Sequence, residues 1–250
     1  MIARLVGSEM CIRDRIMSRQ ALLQMLMYVH LFPTLGILSA LASTINSMWR
    51  RPHRTPSTPM VFTKFPSCIS GPTDDLIMLS DECDYEGELV VVIGKDGKDI
   101  KKEEAWSHIL GLSVGQDFSD RGVQYKDQPA QFNLGKSFDT FGPTGPYLVS
   151  TDSFTDPSDL EIRTTVNGEV RQRDRTSNMI FDIPTLTSYI SSITSLVVGD
   201  IIFCGTPDGV GFRNGSFLND GDIVETAIEG IGTMRNKCVP VSYTHLTLPT

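Results

Sequence analysis

Apolar and polar positions alternate along "DYEGELVVVI" (Asp84–Ile93), which predicts a strand. In it Asp84, Glu86 and Glu88 share one side with Val90 and Val92, while Tyr85, Leu89, Val91 and Ile93 share the other. One face therefore changes from acidic to apolar midway. Two more alternating runs flank Asn167-Gly168 in "LEIRTTVNGEVRQ". That dipeptide tolerates the positive φ angles of a type I′ turn, so a hairpin is predicted. "VGDIIFCGTP" predicts a strand between two turns, and "GDIVETAIEGIGTMRNKCV" a closing pair. Helical spacing puts Ile183, Leu186, Tyr189, Ile190 and Ile193 on one face, with Pro184 tolerated in the first turn. "DIKKEEAWSHILGLSVG" reads as a short helix with Ala105, Ile109 and Leu112 at helical spacing. Strands dominate, with two or three helices laid over them.

The body of the chain is bounded by segments of different character. "RRPHRTPSTP" is basic and proline-rich, an extended linker, so the compact domain is expected over residues 59–240. Ahead of it, within an uncertain segment 16–58, the apolar run Ala21–Met48 has three readings: a membrane span interrupted by Pro33 and Gly36, a secretory signal, or a frame error. The two ends are related as DNA. Met-Cys-Ile-Arg-Asp-Arg (Met10–Arg15) can be written ATG TGT ATA AGA GAC AGN, whose reverse complement ends in codons for Val-Ser-Tyr-Thr-His, the sequence of Val241–His245. Such an inverted repeat resembles translated adapter from transposase-based library preparation. Residues 1–15 and 241–250 are accordingly set aside from the fold.

Composition narrows the function classes. With 250 residues, 40% of them hydrophobic, one sizeable core is expected. A formal charge of −8 offers no broad basic field for nucleic acid or anionic lipid, so neither nucleic acid nor membrane is an expected partner. Five scattered cysteines without a CxxC pair suit reduced thiols in a cytoplasmic compartment.

The acids at the mouth of the Asp84–Ile93 strand have two readings. They emerge into solvent, or they face a cavity in which their mutual repulsion calls for a cation. Hard divalent ions take carboxylate oxygens, and Gly87 between Glu86 and Glu88 lets another element approach closely. Asp117, in "GLSVGQDFSDRGVQ", is a third acid or a turn aspartate; Lys136, in "FNLGKSFDTFGP", is a site lysine or a solvated loop lysine. Neither the Gly-Lys-Ser step nor "CGTPDGVGF" has the spacing of a nucleotide-binding loop.

In their order, "DYEGELVVVIGK", "VGQDFSDRGVQ", "LGKSFDTFGPTGPYLV", "VNGEVRQ", "TSNMIF", "GDIIFCGTPDGVG" and "GDIVETAIEGIG" resemble the fumarylacetoacetate hydrolase family over about Pro59–Val239. The resemblance implies an α+β fold, a β-rich mixed roll or sandwich with two or three short helices, commonly a homodimer. It implies Glu86, Glu88 and Asp117 as ligands of a divalent cation, Mg²⁺ or Mn²⁺ with Ca²⁺ as a further candidate. Lys136 would be catalytic, stabilising an enolate oxygen, and Arg121, Gln124 and Thr206 would contact substrate. The implied substrate is a small acylpyruvate or other 2-oxo or diketo acid. Its C–C bond is hydrolysed or, on the same site, the acid is isomerised or decarboxylated; a truncated, non-catalytic metal binder is the rival. One departure stands out: the family's Asn-Tyr block, followed by a lid His and Glu that activate water, is absent. His30 and His53 lie upstream in the wrong context and His108 sits in the expected helix, so no general base is assigned.

If the ends are adapter sequence, resequencing the gene from unfragmented DNA returns different codons at Met10–Arg15 and Val241–His245. Finding the same codons would overturn that reading.

Overall fold

The computed structural model describes residues 56–241 and, for the backbone alone, β1 (Ile16–Met17) and β2 (Ile37–Leu41). Residues 1–15 and 242–250, and the apolar run Ala21–Met48 apart from β2, lie outside the described residues. The body continues with β3 (Met60–Thr63), β4 (Ile69–Ser70), β5 (Leu76–Met78), β6 (Cys83–Asp84), β7 (Gly87–Ile93), β8 (Ile109–Gln116) and β9 (Ser119–Asp120). After these come β10 (Gly142–Val149), β11 (Glu161–Val166), β12 (Glu169–Arg175), β13 (Ile201–Phe203), β14 (Ile223–Ile228) and β15 (Gly232–Pro240). The larger sheet runs β1-β10-β8-β7-β13-β2-β3, with β4 added beside β10; the smaller runs β12-β11-β14-β15-β5, and β6 pairs with β9 alone. This is the β-rich α+β fold expected from the sequence.

The central strand β7 explains where the core sits. Its alternation sends Leu89, Val91 and Ile93 into a cluster with Leu112, Val114, Ile162 and the helix residues Ile183, Leu186 and Ile190. Val90 and Val92 go the other way, onto Leu148, Ile201 and Phe203. Both faces are dry, so the valine run is continuous rather than half polar. Each of these side chains contributes roughly 1.5–3 kcal/mol by leaving water. That apolar anchor holds the acidic end of the strand in a fixed place.

The helix Ile183–Ile193 begins at Asp182, whose Oδ1 accepts from Thr185 N at 2.8 Å, with Pro184 in its first turn. Ile183, Leu186 and Ile190 are buried and Tyr189 packs beside them, but Ile193, the last helical residue, is 66% exposed and leaves the expected face. The hairpin turn is as predicted, with Asn167 at φ 52° and Gly168 at φ 81°.

The helix expected around Ala105, Ile109 and Leu112 is corrected. Lys102–His108 forms a 3₁₀ helix, and Ile109 and Leu112 belong to β8. The register shifts between Val92↔Gly111 and Ile93↔Ile109, leaving Leu110 as a bulge. A bulge reverses the parity of a strand. Two residues three apart therefore share a face and reach the same cluster, which imitates helical spacing.

The turn before β13 uses Gly199 at φ 95°, while Asp200 Oδ2 accepts from Val197 N at 2.8 Å. Burial pushes the Asp200 carboxyl up to about 6, against the Val197 N–H and with help from the charge on Asp96. The folded state thus holds this proton more tightly than the unfolded chain. The resulting stability is fully present below pH 3.8 and is lost as pH rises through about 6. Asp200→Asn removes that slope, so its melting temperature gains on the parent's between pH 4 and pH 7; a pH-independent difference would show that Asp200 titrates normally.

Candidate metal and substrate site

The acids meet because two strand pairs run on from one another. β7 and β8 are in register from Gly87↔Gln116, and β6 and β9 from Asp84↔Ser119. Between them Asp117 N donates to Glu86 O at 2.9 Å. Glu86, Glu88 and Asp117 are all fully buried, and one carboxylate oxygen of each lies within 4.8 Å of the others. Lys136 caps the short helix Phe132–Gly135, and Gly135 sits in close contact, since a Cβ there would stand 3.0 Å from Asp120 O and Gln124 N. That close approach brings Lys136 Nζ to 2.7 Å from Asp117 Oδ2, 3.0 Å from Glu86 Oε2 and 2.7 Å from Ser119 Oγ.

Two further cations neutralise the cluster. Lys64 Nζ donates to Asp117 Oδ1 at 2.8 Å, to Phe141 O at 3.2 Å and to Lys136 O. Arg121, from the short helix Arg121–Gln124, donates through Nη2 to Glu86 Oε1 at 2.5 Å and to Asp84 Oδ2 at 2.7 Å. Its Nε also reaches Asp84 Oδ2, and its Nη1 gives a proton to Gln124 Oε1 at 2.7 Å. A guanidinium has five N–H donors. One Nη1–H therefore remains, and Gln124 Nε2 is buried without a partner among the described residues. Thr206 Oγ1 donates to Gly87 O at 2.8 Å and accepts from Gln172 Nε2.

Charge and burial act differently on each acid. Burial pushes Asp117 up, but the ammoniums of Lys136 and Lys64 outweigh it and hold the carboxyl below its ordinary range. Burial lowers the Lys64 ammonium, and Asp117 more than restores it. Arg121 follows the same pattern, lowered by burial and raised by Glu86 and Asp84 to a net upward shift. Among the described residues Glu88 forms no ion pair, although the charge on Lys136 pulls its carboxyl down somewhat. Burial first, then the charges of Asp117 and Glu86, push its carboxyl well above the carboxylate range. Among the described residues only Gly205 N, at 2.7 Å from Oε2, donates to it, and Glu88 Oε1 is buried with no partner.

This donor set fits a divalent cation. An unpaired buried carboxylate oxygen is costly unless something positive meets it, and hard cations are held by oxygen donors of this kind. Glu86, Glu88 and Asp117 would hold the ion, with Glu88 Oε1 as the oxygen most in need of it.

The sequence-assigned site residues Glu86, Glu88, Asp117, Lys136, Arg121 and Gln124 are thus brought into one buried network, with Thr206 bound to the peptide between the two glutamates. Reading the sequence missed Lys64, Asp84, Ser119 and Gln116. Lys64 has a signal: it alternates with buried Phe62 at the end of β3, an inward position for a lysine. Asp84, grouped by alternation with the metal acids, serves Arg121 and also accepts from Tyr85, Gly211 and Phe212 N. Gln116 Oε1 holds Glu86 N at 2.9 Å. His108 is outside this network, with Nδ1 against Lys95 O at 3.0 Å.

The fold and these residues together point to a known family. The model of the fumarylacetoacetate hydrolase C-terminal domain matches residues 33–239, and the chain belongs to that family. It is 45% identical over 195 residues to fumarylacetoacetate hydrolase domain-containing protein 2 homolog of Dictyostelium discoideum, covering 73% of this chain and 64% of that protein. It is 47% identical over 188 residues to the bovine (Bos taurus) mitochondrial oxaloacetate tautomerase FAHD2A, covering 74% of this chain and 60% of that one. The chain thus spans less than two thirds of these relatives. The crystal structure of 5-carboxymethyl-2-hydroxymuconate delta-isomerase from Mycobacterium smegmatis superposes with a TM-score of 0.73 at 38% identity, covering 83% of this chain and 79% of that one.

Gly87 is tightly packed, because a Cβ there would fall 2.1 Å from Thr164 Oγ1. Gly87→Ala should lower stability by about 1–3 kcal/mol through overpacking. Adding Thr164→Ala should recover most of the loss in denaturant titration, and no recovery would place the strain elsewhere.

Proposed function

We propose that this chain is a divalent-cation-dependent enzyme that interconverts the keto and enol forms of a small 2-oxo dicarboxylic acid such as oxaloacetate. The carrying observation is the contact of one buried ammonium, Lys136, with both Glu86 and Asp117, beside the oxygen of Glu88 that lacks a partner. The name of the bovine relative supports the substrate class. A cation at the three carboxylates supplies Lewis acidity to the adjacent oxygens of a 2-oxo acid. Lys136 places a preorganised positive charge where the enolate oxygen develops. Gln124 Nε2 and the remaining Arg121 Nη1–H are two donors that suit the far carboxylate. Thr206 adds a hydroxyl once it releases Gly87 O. Moving a proton between carbon and oxygen requires no attacking water; a base must still take the proton from carbon, and the one described histidine, His108, stands apart and does not supply it.

Hydrolysis of an acylpyruvate C–C bond is the second reading, favoured by the family to which the chain belongs. It requires a water-activating base in addition to the residues above. We further propose a homodimer in a reducing, cytoplasm-like compartment, in keeping with free thiols at the buried Cys68, Cys83, Cys204 and Cys238.

With Mg²⁺ or Mn²⁺ present, the purified chain should speed oxaloacetate tautomerisation beyond the metal-only control, followed by the absorbance of the enol. Glu86→Gln should weaken Mn²⁺ binding by about tenfold or more in calorimetry. A rate equal to the metal-only control would leave a non-catalytic family member instead.

A further inference from the structure

The hairpin β11–β12 reaches the site through Thr164, packed against Gly87, and through Gln172, which hydrogen-bonds to it. Along β12 the register jumps from Thr164↔Gln172 to Thr165↔Val170, so Arg171 is an extra residue. Bulges of this kind re-aim side chains. Val170 is 49% exposed, whereas Gln172, two residues on, is 1% exposed. An unbroken strand would put both on one face. The bulge also meets the loop after β13: a Cβ on Gly209 would fall 2.0 Å from Arg171 O, and Gly209 sits at φ 108°.

Inside, every polar atom of the Gln172 side chain is used. Oε1 accepts from Gly87 N at 3.0 Å, and Nε2 donates to Thr206 Oγ1 and to Pro207 O, each at 2.8 Å. The amide orientation is dictated by its backbone partners, because Gly87 N can only donate and Pro207 O can only accept. Thr206 Oγ1 then passes its own proton to Gly87 O at 2.8 Å. A closed ring of hydrogen bonds therefore encircles the single residue between Glu86 and Glu88.

We propose that Gln172 is a positioning residue that couples the hairpin to the cation-binding strand: its amide fixes Gly87, and with it the spread of the two glutamates, while pinning the Thr206–Pro207 loop. The part concerning the cation rests on the metal site proposed above. The two arms have separable consequences. The acceptor arm on Gly87 N governs metal geometry, and the donor arms on Thr206 and Pro207 govern the substrate side.

The test compares the full chain with Gln172→Met, near in shape but without the amide, Gln172→Glu, which keeps an acceptor for Gly87 N, and Ile162→Val as a core control. Mn²⁺ alone is the probe, read by titration and electron paramagnetic resonance, with hydrogen exchange of the Glu86–Glu88 and Gly205–Pro207 segments alongside. Gln172→Met should weaken Mn²⁺ about tenfold, in line with other partners of metal ligands, and speed exchange in both segments. Ile162→Val should change neither, whatever it does to the melting temperature. Gln172→Glu should keep Mn²⁺ affinity within about threefold of the parent, well short of the tenfold loss, and raise KM for oxaloacetate more than it lowers kcat. If the parent takes no Mn²⁺ but exchange still accelerates in Gln172→Met, the metal reading falls and the positioning role stands. Parent-like exchange and Mn²⁺ binding in Gln172→Met would overturn the proposal. Should that variant not fold, parent-like exchange in the Gly205–Pro207 segment of Gln172→Glu would do the same.

Discussion

Like charges cannot be buried side by side unless something of opposite sign is buried with them, and this requirement organises the molecule around Glu86, Glu88 and Asp117. Lys136 bridges two of the acids, Lys64 and Arg121 take the outer sides of Asp117 and Glu86, and Asp84 occupies the remainder of the guanidinium. None of these groups touches bulk water to any extent. The desolvation of each ion is worth several kcal/mol, so a neutralised but asymmetric arrangement is stable only because the apolar strands fix its geometry. Glu88 is where the arrangement is incomplete, since its Oε1 has no partner among the described residues.

The two sheets have different tasks in this setting. The larger carries Glu88 on β7, with Glu86 just before that strand and Asp117 just after β8, and buries the apolar continuation of β7 on both sides. The smaller sends inward polar groups, Gln172 from β12 and Thr226 from β14, which meet Gly87 and Gln116. Gln116 in turn holds Glu86 N, so the acidic end of β7 is gripped from both flanks by side-chain amides as well as by its backbone neighbour. Side chains with locked partners are what keep a reactive constellation from drifting.

What could be read from the sequence was whatever depended on neighbours along the chain. The period-two run of β7, the Asn167-Gly168 turn and the Asp182-Ile183-Pro184 helix start are local signals, and they are where the structure puts them. The Ile109 and Leu112 spacing misled because a bulge at Leu110 changes the parity that period counting assumes. The acids, Lys136, Arg121 and Gln124 came through resemblance. Lys64 and Gln172 escaped because their meaning lies in partners 53 and 85 positions away, and a lysine or glutamine among mixed residues says nothing of that distance.

Lys64 also sets a limit on how the polypeptide can be shortened. It stands one residue beyond β3, close to the start of the described body, yet its ammonium contacts Asp117 and the carbonyls of Lys136 and Phe141 deep inside. A piece beginning after this lysine would retain Glu86, Glu88 and Asp117 and most of the hydrophobic interior. It would nevertheless enclose one negative charge more than it can answer, and water would have to enter where the lysine had been.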